Sequence, residues 1–446
     1  MGSAAVRGTE LSNRIFRRAL ANSGWLLGAN TLTAVCSLGQ SVLLTRALGV
    51  RGYGTLTLIV TFVTVVNRLT SFRMNEFVIK YVTDARAAGA DAEAAASIKL
   101  AMIVEAAASV VAFLAVLALA PIAGAVFIHD RGTAPLIAAY GLVVLGTVAA
   151  ETSAGVLQVF NLFRLQSTLS VVGAVLLLGL VAAGYLAGAG VPGMVWATVI
   201  GNVASATMLT VAAIRTIHRR FGAGWWRVPL GNVRSRWRVP LRFAASTNAS
   251  ASLSLITRDA DPLWLSLFRG TAEVGYYRLG LAIATYALIP VSQLAQAFYP
   301  EITRKAARRE WSAFVQLLRQ GSLLSAAYVL PLGVVLSLGS GWLIRTVYGT
   351  EFEPAAPVLV ILFCGMGFSS VLFWNRPALL ALGLAAYPLK VNAVLAVVKV
   401  IGVFVIIRNY GYIGTAALLT GLYLVGVTLA VRKVRSEIRA RAAAPA

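Results

Sequence analysis

Five charged residues, Arg68, Arg258, Asp259, Asp261 and Arg278, interrupt stretches that are otherwise apolar. A charge at mid-bilayer costs about 2.5–3.5 kcal/mol or more, so such residues face a bundle interior or a wet cavity. Arginine is always ionised, and its planar guanidinium matches phosphate oxygens bidentately. The chemistry on offer is therefore binding of an anion with phosphate-like oxygens, with Arg68, Arg258 and Arg278 as the candidate contacts. Asp259 and Asp261 offset part of the charge. Arg258 and Asp261 stand three residues apart and are expected to pair, while Asp259 is expected to reach Arg278. Arg68 is then the uncompensated cation. Pro262 removes a helical hydrogen bond beside Arg258, and a carboxylate next to freed carbonyls suits a small cation or proton. Asp259 and Asp261 are accordingly the candidate coupling-ion residues.

Polar residues recur around these charges in steps of three, four and seven, which place each set on one helix face. The sets are Asn30, Thr33, Ser37 and Gln40; Thr61, Thr64, Arg68 and Ser71; Thr247, Ser250, Ser254 and Thr257; and Arg278, Thr285, Ser292 and Gln296. Neutral stripes alone suit interhelical hydrogen bonding equally well. Together with the arginines they predict a hydrated cavity. Four further charges carry less weight. Glu105, Glu151 and Arg376 lie near inner ends of apolar runs, where interfacial solvation or a structural hydrogen bond suffices. Lys399 sits mid-run in a segment with little other polarity.

The elements that must hold these residues are apolar runs. Of 446 residues 59% are hydrophobic and 12% charged, against about 25% charged in a typical soluble domain. Runs long enough to cross a bilayer occur at about 24–45, 53–72, 98–120, 134–158, 167–188, 192–214, 243–268, 275–299, 316–344, 357–382, 389–408 and 412–431. Pro290 and Pro331 are expected to kink their runs. The two cysteines, Cys36 and Cys364, fall in separate apolar runs and offer no disulfide framework. His129 and His218 show no metal-ligand spacing, and neither a metal nor a cofactor is expected.

Charge placement sets the orientation. Of 39 Lys+Arg, 28 fall on the side of the N-terminus, including eight arginines between Arg215 and Arg242. The opposite connections carry only Arg46, Arg51, Arg131, Arg269, Arg345 and Arg408. The positive-inside rule puts both termini in the cytoplasm. The net charge of +23 thus reads as topology and not as nucleic-acid binding. The basic, tryptophan-bearing segment 215–242 divides the chain and reads first as a positive-inside loop, with an amphipathic stretch on an anionic leaflet as the alternative. Gly52-Tyr53-Gly54 and Gly275-Tyr276-Tyr277 recur at an offset of 223, and Gly190 and Gly411 at 221. A six-plus-six duplication follows, with both halves in one orientation and a pathway between them.

The words Asp261-Pro262-Leu263-Trp264, Gly275-Tyr276-Tyr277-Arg278-Leu279 and Ala297-Phe298-Tyr299-Pro300-Glu301-Ile302-Thr303-Arg304 resemble the seventh and eighth helices of bacterial polysaccharide-biosynthesis flippases. These are members of the multidrug/oligosaccharidyl-lipid/polysaccharide exporter superfamily. Thr45-Arg46-Ala47-Leu48-Gly49 is similar to that family's first connection, and Tyr348-Gly349-Thr350-Glu351-Phe352 to the one before the tenth span. The resemblance implies an all-α polytopic membrane protein. It would have about twelve transmembrane helices in two six-helix lobes, related by a pseudo-twofold axis along the membrane normal (MATE-like). Its segments would be a cytoplasmic tail 1–23, an N-lobe 24–214, a basic loop 215–242, a C-lobe 243–431 and a basic tail 432–446.

The implied activity is flipping of a polyprenyl-diphosphate-linked glycan from the cytoplasmic to the outer leaflet of the bacterial inner (plasma) membrane. The resemblance also implies that basic cavity residues hold the pyrophosphate, the role Arg68, Arg258 and Arg278 would fill by position. The implied partners are polysaccharide polymerase and glycosyltransferases. Energy would come from H+, Na+ or the membrane potential. A multidrug or cation antiporter of the same superfamily is the alternative, and it would favour an acidic cavity. An integral-membrane glycosyltransferase using the Asp259-Ala260-Asp261 word, and a non-transporting scaffold, rank below it.

Overall fold

The computed structural model describes residues 2–72, 74–230, 253–384 and 386–443, with side chains from residue 28 onward, and these are almost wholly helical. Among them, eight continuous helical stretches are long and apolar enough to cross a membrane, or nine with the bent pair Thr271–Ala287 and Ile289–Ala307. Two stretches, Gly28–Ala87 and Ala386–Ala442, hold 60 and 57 residues. Straight, each would be roughly 90 Å long, about three times the hydrocarbon thickness. Each is broken by a glycine of positive φ, Gly49 (61°) and Gly411 (55°), the backbone region open to a residue without Cβ. Every expected run overlaps helix, except that 243–252 lies outside the described residues, as do Thr247 and Ser250 of the third polar stripe.

The N-terminal group comprises α1 (Gly2–Thr70), α2 (Met74–Ala87), α3 (Asp91–Ala123), α4 (Ala134–Gly146), α5 (Ala150–Val159), α6 (Phe163–Leu186) and α7 (Gly190–Phe221). The C-terminal group comprises a π-helical turn Leu255–Asp259, α8 (Asp261–Ser266), α9 (Thr271–Ala287), α10 (Ile289–Ala307), α11 (Trp311–Val347), α12 (Ala356–Val371), α13 (Asn375–Ala381), α14 (Ala386–Gly402) and α15 (Arg408–Ala443). In the first group α1 packs on α6 and α6 on α7. In the second, α12 packs on α11 and α15, and α9 on α12. Between the groups the main crossing is α1 with α9.

Helix extends into all three basic segments. α7 runs into the segment 215–242 as far as Phe221, and Arg219 and Arg220 ride on its last turn, where cations favour the helix dipole. The C-terminal basic segment is helical to Ala443, with Glu437 paired to Lys433 and Arg441 one turn either way. Residues 2–23 are helical as well. Of the two expected kinks, Pro290 stands at a 47° bend between α9 and α10, whereas α11 continues through Pro331.

Candidate functional site

The two groups close against each other mainly at the crossing of α1 and α9, the seal between them. A Cβ on Gly54 would collide with the carbonyl of Thr271, and one on Gly275 would meet the carbonyl of Val50 at 2.5 Å. The two contacts are reciprocal. Adding 221 to Val50 and Gly54 gives Thr271 and Gly275, the self-complementary pattern of a two-fold interface. The repeat register at this crossing is therefore 221, the offset that also relates Gly190 to Gly411, and the expected match of Gly52 to Gly275 is corrected to Gly54 with Gly275.

Around this crossing the two connection words meet. The Arg46 guanidinium donates to the carbonyls of Thr346 (3.1 Å) and Val347 (3.0 Å), capping the end of α11. Tyr53 stacks edge-on against Phe352 at 6.1 Å. This seal lies on the side whose connections carry few positive charges.

Away from this crossing the contacts between the groups are sparse, and three arginines are exposed. α9 is enclosed by α1, α12 and α15, and Arg278 and Thr285, seven residues apart, are its exposed positions. Ser292 and Gln296 continue the exposed stripe on α10, and Asn30 is exposed on α1. Thr33, Ser37, Thr61, Thr64 and Ser254 are half-buried. Ser37 donates to the carbonyl of Thr33 at 2.9 Å and lies within hydrogen-bonding reach of Tyr286 on α9. Two expected lining residues face elsewhere. Gln40 donates across to the carbonyl of Ala174 on α6 (3.1 Å), and Thr257 is buried and returns its hydroxyl to the carbonyl of Leu253 (2.9 Å). Gln40 thus ties α1 to α6, whereas the Thr257 bond closes within its own helical segment.

The charges pair differently from expectation. Arg68 forms a salt bridge across the cleft with Asp259, both groups remaining well exposed. Arg68 is thus not the uncompensated cation. Asp261 is fully buried, with Lys399 Nζ 2.6 Å from its Oδ1 and the Tyr277 hydroxyl donating to its Oδ2 at 2.6 Å. Arg258 lies over the Tyr423 ring at 4.8 Å. Arg278 has no ion-pair partner among the described residues.

The reason is local backbone. The π-helical turn Leu255–Asp259 ends at Ala260 and the helix restarts with Pro262 in its first turn, so Arg258 and Asp261 do not share one continuous α-helical face. The Trp264 indole donates to the carbonyl of Ile256 at 3.2 Å and braces the break. Asp261 turns inward, and the mid-bilayer ammonium of Lys399, which needs a counter-ion, receives it.

The residues missed from sequence are Tyr277 and Tyr423, which carry no pattern signal, and the pairing of Lys399. A lone mid-run lysine does signal that an acidic partner exists somewhere. Glu105 has a structural role: its two carboxylate oxygens accept from the backbone N–H of Glu151 (2.9 Å) and Thr152 (3.0 Å), capping the start of α5.

A family model described as polysaccharide biosynthesis protein matches residues 19–305, well over half of the chain. No curated protein matches by sequence. Among solved structures, the chain is similar to a multidrug resistance MATE family transporter of the MOP superfamily in an inward-facing conformation. The TM-score is 0.71 at 14% identity, over 93% of this chain and 96% of that one. The same comparison with an outward-facing MATE transporter gives 0.61. A MOP superfamily transporter from Pyrococcus furiosus, described by the reverse polarity of its binding pocket, gives 0.64 at 12% identity over 95% of each chain. The lipid II flippase MurJ gives 0.60 at 12%, over 95% of this chain and 88% of that one. The fold is MATE-like: a polytopic, two-lobed helical membrane protein.

Proposed function

The chain belongs to the polysaccharide biosynthesis protein family, and from that premise we propose that it flips a polyprenyl-diphosphate-linked oligosaccharide from the cytoplasmic to the outer leaflet. The observation that carries the reading is the sign of the cleft. Arg68, Arg258 and Arg278 are all exposed between the lobes against one exposed carboxylate, Asp259. A cleft with excess positive charge suits a diphosphate and repels a cationic drug.

In this reading the headgroup enters the cleft from the inner side while the polyprenyl tail stays in lipid. Arg278 and Arg258 meet it first, because neither is held by a carboxylate. Arg68 joins when the diphosphate displaces Asp259. Partial neutralisation lowers the cost of carrying the anion through a low dielectric. Opening of the seal around Gly54 and Gly275 then exposes it outside, where polymerase and glycosyltransferase partners of a surface-polysaccharide system would use it. If transport is coupled to H+ or Na+, Asp259 takes the cation once the diphosphate has drawn Arg68 away, whereas Asp261 stays neutralised by the buried Lys399 ammonium.

Flux of a fluorescent polyprenyl-diphosphate glycan through reconstituted protein tests this. Arg68→Ala with Arg278→Ala should lower flux more than tenfold and leave folding unchanged. Intact flux in that variant would sink the arginine assignment. A wild-type protein that moves cationic dyes but no glycolipid would establish the multidrug alternative instead.

A further inference from the structure

A second basic site lies outside the inter-lobe cleft, at the end of the N-lobe where α6 meets α7. A groove of about 450 Å³ is floored by Leu165, Leu169, Met208 and Val211, and Arg215 and Arg219 stand at its mouth. We infer that this groove is a binding site for an anionic phospholipid of the inner leaflet, with the phosphate held between the two arginines and an acyl chain lying along the apolar floor.

Charge complementarity comes first. Arg215 and Arg219 are one helical turn apart on one face, an arrangement of like charges that destabilises a helix when nothing bridges it. Both are exposed, and neither has an acidic partner among the described residues. A phosphodiester between two guanidiniums resolves that repulsion, since each presents paired N–H donors to its oxygens. Basic pockets between transmembrane helices on the cytoplasmic side are a recurring form of headgroup site.

The floor points to a lipid and not to a free anion. Leu165 and Val211 are 39% and 40% exposed, and the walls continue away from the arginines into exposed Val172 and Leu176 on α6 and Ile200 on α7. That surface is lipid-facing by composition, so the groove opens sideways into the bilayer, where a chain can enter without leaving the leaflet. The depth agrees. Just past the end of α7, Trp226 is 53% exposed with the Arg227 guanidinium 4.9 Å from its ring centre. An exposed tryptophan with a basic companion marks the headgroup level of a membrane. The volume falls within the range of small-ligand sites. The site is independent of the cargo proposed above: it lies on the lipid-facing side of the N-lobe, and none of its residues belongs to the cleft.

Native mass spectrometry and thermal unfolding of full-length protein in mixed micelles test the inference, with phosphatidylglycerol as probe and phosphatidylcholine as control. The wild type should retain one phosphatidylglycerol at least tenfold more tightly than phosphatidylcholine and should melt higher in its presence. Arg215→Ala with Arg219→Ala should abolish that preference, whereas Arg435→Ala with Arg439→Ala, which removes the same charge elsewhere, should keep it. Val211→Trp fills the floor, leaves both arginines and should also abolish it. Inorganic phosphate at matched concentration should give no stabilisation. Equal retention of the two lipids, an unchanged preference in the arginine variant, or stabilisation by free phosphate would each overturn the proposal. Glycolipid flux in phosphatidylcholine-only vesicles reports separately on the cleft.

Discussion

Lys399→Met tests the most deeply buried chemistry in the protein. Lys399 and Asp261 are both 0% exposed, their charged atoms stand 2.6 Å apart, and the Tyr277 hydroxyl donates to the other Asp261 oxygen. Removing one partner of such a pair leaves a buried charge without compensation, a loss of about 3–5 kcal/mol. Asp261→Asn should cost about the same for the mirror reason. Removing both charges is different: an apolar or neutral replacement of a buried pair is often neutral or mildly stabilising. The double variant Asp261→Asn with Lys399→Met should therefore recover most of either single loss. The expected interaction energy is about 3 kcal/mol or more, far above the few tenths found for independent sites. Reversible unfolding in a single detergent, read by tryptophan fluorescence across the four members of the cycle, measures it. Additive losses, with the double variant as poor as the sum of the singles, would refute the claim that these two side chains stabilise each other.

Gly54→Leu should prise the seal apart, because even a Cβ meets the Thr271 carbonyl. In a background with Cys36 and Cys364 replaced by Ala, a Thr57→Cys thiol (buried one turn below) should become reactive to an impermeant outside reagent. Glu105→Ala removes two charge-assisted bonds from the start of α5 and should lower stability by about 2 kcal/mol in the same unfolding assay. Arg345→Ala breaks an exposed bidentate pair with Glu353 and should change stability by less than about 1 kcal/mol.

Helical periodicity is an intrahelical quantity, and that explains what could be read before folding and what could not. It identified the apolar runs, the exposed line from Arg278 through Thr285 to Ser292 and Gln296, and the two glycine-rich words that cross. It could not choose partners between helices. Asp259 faces Arg68 across the cleft, and Asp261 finds Lys399 on α14; both pairings depend on how lobes and helices are rotated against one another. The π-helical turn at Leu255–Asp259 made local spacing misleading where it was leaned on most, because it sends neighbouring aspartates to different environments. Gln40 shows the reverse ambiguity. Its position on a polar stripe is as predicted, but the stripe is wide enough for one edge to address α6. The register of the duplication needed structure too, since both 221 and 223 align glycines and only 221 makes the α1–α9 contacts reciprocal.

The glycine crossing also has a mechanical consequence. At Gly54 and Gly275 the two helices approach main chain to main chain, and the contact can serve as a fulcrum once the flanking Arg46 and Tyr53 contacts give way. Gly54 and Gly275 sit near one membrane face, so each lobe is a lever about as long as the hydrocarbon layer is thick, about 30 Å. A tilt of about 10° at the fulcrum would carry the far ends through roughly 5 Å, one full turn of helix. A displacement of that size is enough to make or break the Arg68–Asp259 bridge.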